Sequence, residues 1–142
     1  MTPTRFVDGY LGYLLGQANH ALFKGFEPAV RAAGLTSIEW RVLATLHDSA
    51  PLTVSALAHE VLSKQPTVTK LVQRMREQGW VTLQADAADQ RCTRVAITVS
   101  GRRTVKPLLE QAKALEAISI RSFTASEMEA LKRLLDKLAR QP

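Results

Sequence analysis

Leu52-Thr53-Val54-Ser55-Ala56-Leu57-Ala58-His59-Glu60-Val61-Leu62-Ser63-Lys64-Gln65-Pro66-Thr67-Val68-Thr69-Lys70-Leu71-Val72-Gln73-Arg74-Met75-Arg76 decides the fold of this chain. Its second half is the more telling. Val68, Leu71, Val72 and Met75 fall at i, i+3, i+4 and i+7, the spacing of one buried stripe on a helix. Thr67, Lys70 and Arg74 then point away from the stripe, with Thr69 and Gln73 at its flank, and every ionisable residue from Lys64 to Arg76 is a base. A helix packed by one face and offering Thr, Gln, Lys and Arg on the other suits a DNA major groove. There those side chains reach phosphates and the acceptor edges of bases. On charge alone, a solvated surface helix explains the same residues. The flanking sequence separates the two readings.

Upstream, Thr53 reads as a helix N-cap, with Leu52 and Leu57 placed as a hydrophobic staple. Leu57, Ala58 and Val61 form a short buried stripe before Ser63 and Pro66 open the next helix. Proline is tolerated there because first-turn amides have no intrahelical partner. Downstream, Gly79 reads as a left-handed C-cap of the basic helix. Trp80-Val81-Thr82-Leu83 and Arg94-Val95-Ala96-Ile97-Thr98-Val99 follow, with Val81/Leu83 and Val95/Ile97/Val99 alternating at period two. These are two half-buried strands joined by a polar loop from Gln84 to Thr93. A helix-turn-helix followed by such a hairpin is a winged helix.

The same residues resemble the multiple-antibiotic-resistance regulator (MarR) family. The resemblance lies in Leu52 to Ala58, in Gln65 to Val72, in Gly79-Trp80-Val81, and in Asp86-Ala87-Ala88-Asp89-Gln90-Arg91 leading to Ile97-Thr98-Val99-Ser100-Gly101-Arg102. Its most specific part is the wing signature, Asp89-Gln90-Arg91, followed by the apolar-Thr-x-x-Gly helix start at Ile97 to Gly101. Gln90 stands where the family often has arginine, and Ile97 replaces the usual leucine. The resemblance implies a transcription regulator, in most cases a repressor, that binds double-stranded DNA at a palindromic operator as a homodimer. The alternative is a winged helix used as a protein-interaction or architectural module without a specific operator.

Mapped onto this chain, the DNA-binding candidates are Ser63, Gln65, Thr67, Thr69, Lys70, Arg74, Asp89 and Arg91. Arg91 is the residue to enter a narrow minor groove, with Asp89 accepting from its guanidinium and Asp86 or Arg94 stiffening the loop base. In the family, a small aromatic or phenolic acid sits between the dimer domain and the DNA-binding lobe. Tyr13, His20, Trp40 and Arg41 are the candidates to hold such an effector here. Each has a plainer explanation: Trp40 as core, Arg41 as surface, His20 and Tyr13 as dimer contacts.

The rest of the chain fits this frame. From Phe6 to Ala33 the pattern is helical but interrupted by Gly9, Gly12, Gly16 and Gly25, and Pro28 is placed to split it. Gly34 ends the segment, and Thr36 with Glu39 forms a capping box for a helix running to about Asp48. After the wing, Thr98 caps a helix from about Val99 towards Ser119 that contains Pro107, and Thr124 with Glu127 caps the last one. Leu131, Leu134, Leu135 and Leu138 line one face of that last helix. The expected architecture is therefore mainly α with a small β-hairpin, a single winged-helix domain over residues 1–142. The DNA-binding lobe spans about 36–99, with dimerisation helices at about 4–33 and 99–140. An intramolecular helical cap on a monomer is the alternative use of those terminal helices.

The 142 residues carry a net charge of +6, which suits a polyanionic partner or an anionic surface. No apolar run is long enough to span a bilayer, and no secretory signal follows Met1. One cysteine excludes an internal disulfide and leaves the cytoplasm as the default location. His20, His47 and His59 have no metal-ligand spacing, and no phosphate loop or nucleophile motif is present, so neither an enzyme nor a cofactor is expected. Cys92 sits beside Arg91 and near Arg94, whose charges would depress its pKa; an oxidation sensor and an incidental thiol are both open readings.

Overall fold

The computed structural model describes residues 5–89 and 91–141, so Gln90 lies outside the described residues. The elements in order are α1 (Phe6–Gly9), α2 (Leu11–Lys24), α3 (Glu27–Ala32), α4 (Ser37–Leu46), β1 (Leu52–Thr53), α5 (Val54–Glu60) and α6 (Gln65–Glu77). They continue with β2 (Val81–Ala85), β3 (Thr93–Ile97), α7 (Val99–Ser119) and α8 (Ala125–Ala139). The chain forms two compact units, one over Phe26–Gln111 and the other over Met1–Gly25 with Ala112–Pro142.

The central unit is the winged helix. Thr36 accepts from the Glu39 amide while Glu39 accepts from the Thr36 amide, so the capping box that starts α4 is formed as its sequence predicts. Thr53 likewise accepts from the Ala56 amide and starts α5. The stripes close on one another: Val42, Leu43 and Leu46 of α4, Leu57 and Val61, Val68, Val72 and Met75 of α6, and Val81 and Val95 of the sheet are all buried. Two expectations need correction. The hairpin is the larger part of a three-stranded antiparallel sheet of order β1-β3-β2, in which Leu52 pairs with Val95 and Thr53 with Arg94. Two residues are too few to show a period, so β1 leaves no alternation to read. Val99, counted with the strand alternation, instead opens α7 and is 64% exposed, because Thr98 turns the chain there.

Three helices of this unit end in the same closure, a pair of bonds in which the residue past the cap adopts a left-handed backbone. In α3 it is Gly34, whose amide donates to the Arg31 carbonyl while that of Leu35 donates to Val30. In α6 it is Gly79, donating to Arg76 while Trp80 donates to Met75. In α5 it is Leu62 at φ 59°, donating to His59 while Ser63 donates to Ala58.

The start of α7 is fastened to the end of α6. Thr98 donates its amide to the Trp80 carbonyl (3.0 Å) and its hydroxyl to that of Gly79 (2.6 Å), and its Oγ1 accepts from the Gly101 amide (3.0 Å). A Cβ on Gly101 would collide with the Trp80 carbonyl oxygen and lie 2.8 Å from Ile97 Cγ1. That is the physical content of the Thr-x-x-Gly motif: the helix passes close to backbone, where only glycine fits.

In the other unit, Tyr10 is extended and separates α1 from α2, a break the helical pattern did not announce. The second break falls at Gly25–Phe26, and Pro28 occupies the first turn of α3 rather than a kink. Thr124 and Glu127 make the expected capping box of α8. None of the described residues of α1, α2 or α8 is buried. Tyr10, Leu11, Leu14 and Leu22 stand exposed, as do Leu131, Leu134, Leu135 and Leu138 on one face of α8. No helix among the described residues is long and apolar enough to cross a membrane.

Candidate nucleic-acid interface

The outer face of α6 carries the reading residues. Gln65, Thr67, Thr69, Lys70, Gln73 and Arg74 are exposed while Val68, Leu71, Val72 and Met75 are buried, so the helix is held by its stripe with its polar side free. Thr69 is more constrained than its position suggests: its hydroxyl donates to the Gln65 carbonyl at 3.0 Å. That leaves the methyl and the oxygen lone pairs for a partner, so Thr69 can accept but not donate. Ser63 is half-buried in the turn before the helix.

The wing is organised by two aspartates. At the tip, Asp89 Oδ1 accepts from the Arg91 amide (3.0 Å) and from Arg91 Nε (3.3 Å), while its own carbonyl accepts from the Cys92 amide. At the base, Asp86 Oδ1 accepts from the Ala88 amide (2.9 Å), and Oδ2 accepts from Arg94 Nε (3.1 Å) and lies 3.0 Å from Nη2. The Ala88 amide holds the Asp86 carboxyl below the usual carboxylate range; a desolvation cost works against this and the Arg94 charge adds to it. The Arg91 side chain remains 92% exposed, so its pairing with Asp89 contributes little stability and leaves most of the guanidinium to solvent.

A cleft of about 270 Å³ brings several of these residues together, lined by Gln65 and Thr69 of α6, Arg91 and Cys92 of the wing, and Ser55 at the start of α5. Thr67 lies apart, in a shallow depression with His59, Leu62 and Lys64. Ser55, which lines this cleft, is a candidate that the sequence reading does not name. The signal for Ser55 is its place in the first turn of a capped helix, which exposes it beside the second helix.

The MarR family model matches residues 33–91. A solved MarR family transcriptional regulator from Silicibacter pomeroyi is 36% identical, with 94% of this chain and 98% of that one covered and a TM-score of 0.82. The chain belongs to the MarR family. The homoprotocatechuate degradative operon repressor of Escherichia coli is 29% identical over 85% of this chain and 82% of its own length. The solved structure of NadR in complex with 4-hydroxyphenylacetate is 25% identical, covers 99% of this chain and 100% of that one, and superposes with a TM-score of 0.88.

Within this MarR protein, two side chains behave differently from their sequence setting. The sequence setting of Cys92, beside Arg91 and near Arg94, predicts an acidified thiol. Its thiol pKa is instead raised, first by the charge of Asp89, whose Oδ2 is 3.6 Å from Sγ, and further by desolvation, with Arg91 opposing. Among the effector candidates, Arg41 donates from Nη1 to the Val61 carbonyl at 3.1 Å and so braces the end of α5. Trp40 is half-buried and meets Phe26 edge-on at 4.8 Å. Both belong to the winged-helix unit; Tyr13, whose hydroxyl accepts from Gln17 at 2.6 Å, and the exposed His20 belong to α2 of the other unit. No group of acidic, histidine and cysteine side chains suited to a metal occurs among the described residues.

Proposed function

We propose that this chain is a ligand-responsive repressor that binds a palindromic operator as a homodimer, with α6 in the major groove and the wing in the adjacent minor groove. The observation that carries this reading is the pairing of an anchored, outwardly polar α6 with a largely exposed Arg91 guanidinium on the same lobe. Lys70, Arg74 and Ser63 serve phosphates, and Gln65, Thr67 and Thr69 meet base edges. Asp89 aligns Arg91, which seeks the negative potential of a narrow A·T-rich minor groove. The homodimer reading is supported by the leucines left exposed on α2 and α8. Dimerisation is assigned to helices within about 4–33 and 99–140, flanking a lobe at about 36–99. A two-fold pair places its readers on half-sites about 34 Å apart.

The effector class is a small aromatic or phenolic acid. This rests on the relative that represses a homoprotocatechuate operon and on NadR with its bound 4-hydroxyphenylacetate. Within the winged-helix unit, Trp40 supplies ring surface and Arg41 a carboxylate partner. A carboxylate drawing Arg41 off the Val61 carbonyl would act directly on the turn between α5 and α6.

Footprinting on the DNA flanking the chain's own gene tests the proposal, with protection of one palindrome as the expected result. Arg91→Ala should cost about 1–3 kcal/mol of operator binding. Lys70→Ala or Arg74→Ala should lower the salt slope by about one where the side chain meets a phosphate. Uniform binding to all DNA, or none, would instead favour an architectural or protein-interaction module.

A further inference from the structure

Arg94 sits on β3, the central strand, opposite Thr53 of β1 and Gln84 of β2. Its guanidinium is shared between two pieces of chain far apart in sequence. Nε and Nη2 hold Asp86 Oδ2 at the base of the wing loop, and Nη1 donates to the Pro51 carbonyl at 3.4 Å. Pro51 immediately precedes β1, and β1 ends at Thr53, the N-cap of α5. One side chain therefore ties the wing loop to the start of the helix-turn-helix. Among the described residues, the other hydrogen bonds of the loop stay within it: the Asp86 amide to the Cys92 carbonyl, the Cys92 amide to that of Asp89, and the two turns made by the aspartates. They shape the loop; the β1–β3 pairing holds the strand beneath it, and Arg94 adds a side-chain tie from the loop to the chain before β1.

We infer that Arg94 is a positioning residue for DNA binding: through Asp86 and Pro51 it sets the wing so that Arg91 reaches its groove while α6 occupies the neighbouring one. Arg94 itself does not contact DNA. The inference rests on the role proposed for Arg91. Arginine is suited to the task because its planar fork serves two acceptors at once, whereas a lysine ammonium is a single point charge on a flexible stem.

The test is a double-mutant cycle on one operator at fixed salt, repeated over a salt series. The parent, Arg91→Ala, Arg94→Gln and the double variant are titrated, and unfolding midpoints are measured alongside. Arg91→Ala should weaken binding about tenfold or more, and Arg94→Gln about three- to tenfold with the parental salt slope. The double variant should bind no more weakly than Arg91→Ala alone, since a positioning residue has nothing left to position. Arg94→Lys, which keeps the charge, should recover part of the loss. Additive losses, a salt slope lowered by about one in Arg94→Gln alone, or parental affinity of that variant would overturn the inference. Should Arg94→Gln not fold, the same cycle with Arg94→Lys decides by the same criterion of additivity. Parental affinity of Arg91→Ala would overturn the role proposed for the wing, an outcome separable from additivity.

Discussion

Leu62 holds a backbone conformation that its side chain disfavours, and exchanging it with glycine should strengthen the fold. Its φ of 59° is left-handed, a state costing a non-glycine residue about 1–2 kcal/mol. Its side chain returns little, because the residue is 83% exposed and full burial of a leucine is worth only about 1.5–3 kcal/mol. Glycine removes the strain but gives the unfolded chain extra freedom, worth about 0.5–1 kcal/mol. The balance for Leu62→Gly is a gain of about 0.5 kcal/mol. Gly79 occupies the same closure at φ 82° with open space around a built Cβ, so Gly79→Ala should move the other way by a similar amount. Urea unfolding at one protomer concentration measures both, the concentration being fixed because assembly shifts apparent stability. Since the two bonds closing α5 run through backbone, operator affinity of Leu62→Gly should stay near parental. A Leu62→Gly protein less stable than the parent would show that this leucine has a packing role that its exposure hides.

Light scattering should return twice the 15.7 kDa chain mass, and Leu131→Glu with Leu135→Glu should shift it towards one chain; a parent mass of one chain would reject the homodimer. Gly101→Ala should destabilise by about 1–3 kcal/mol in the same urea assay, since the added methyl meets the Trp80 carbonyl, which is backbone and cannot swing aside. A raised thiol pKa means less thiolate at a given pH, so Cys92 should alkylate slowly at pH 8 and Asp89→Asn should speed it; equal rates would remove Asp89 as the cause.

The winged helix was legible because its signals are local. Each cap at Thr36, Thr53 and Thr124 needs only residues within one turn, and the stripe Val68/Leu71/Val72/Met75 needs only helical periodicity. Gly34 and Gly79 announced two helix ends because glycine is the usual left-handed residue. Leu62 did not announce the third, since leucine carries no such preference and only the two closing bonds reveal it. What depended on distance was lost. Arg94 and Pro51 are 43 positions apart, and no spacing rule connects them. Cys92 misled for a related reason: sequence adjacency favoured the neighbouring arginine, while the turn delivered the Asp89 carboxylate to the sulfur.

The terminal helices teach a different lesson. The stripe Leu131/Leu134/Leu135/Leu138 is as clear in sequence as the one on α6, yet α6 buries its stripe and α8 leaves its own exposed. Periodicity reports that a face is meant to be covered, not which chain covers it. On α6 the covering side chains come from the same lobe, within a core built from α4, α5 and the sheet. Burying a leucine is worth about 1.5–3 kcal/mol, so a four-leucine face left to water forgoes several kcal/mol that a second copy can recover. In the proposed homodimer, assembly and operator recognition become one problem: only the paired state offers two readers at a fixed spacing.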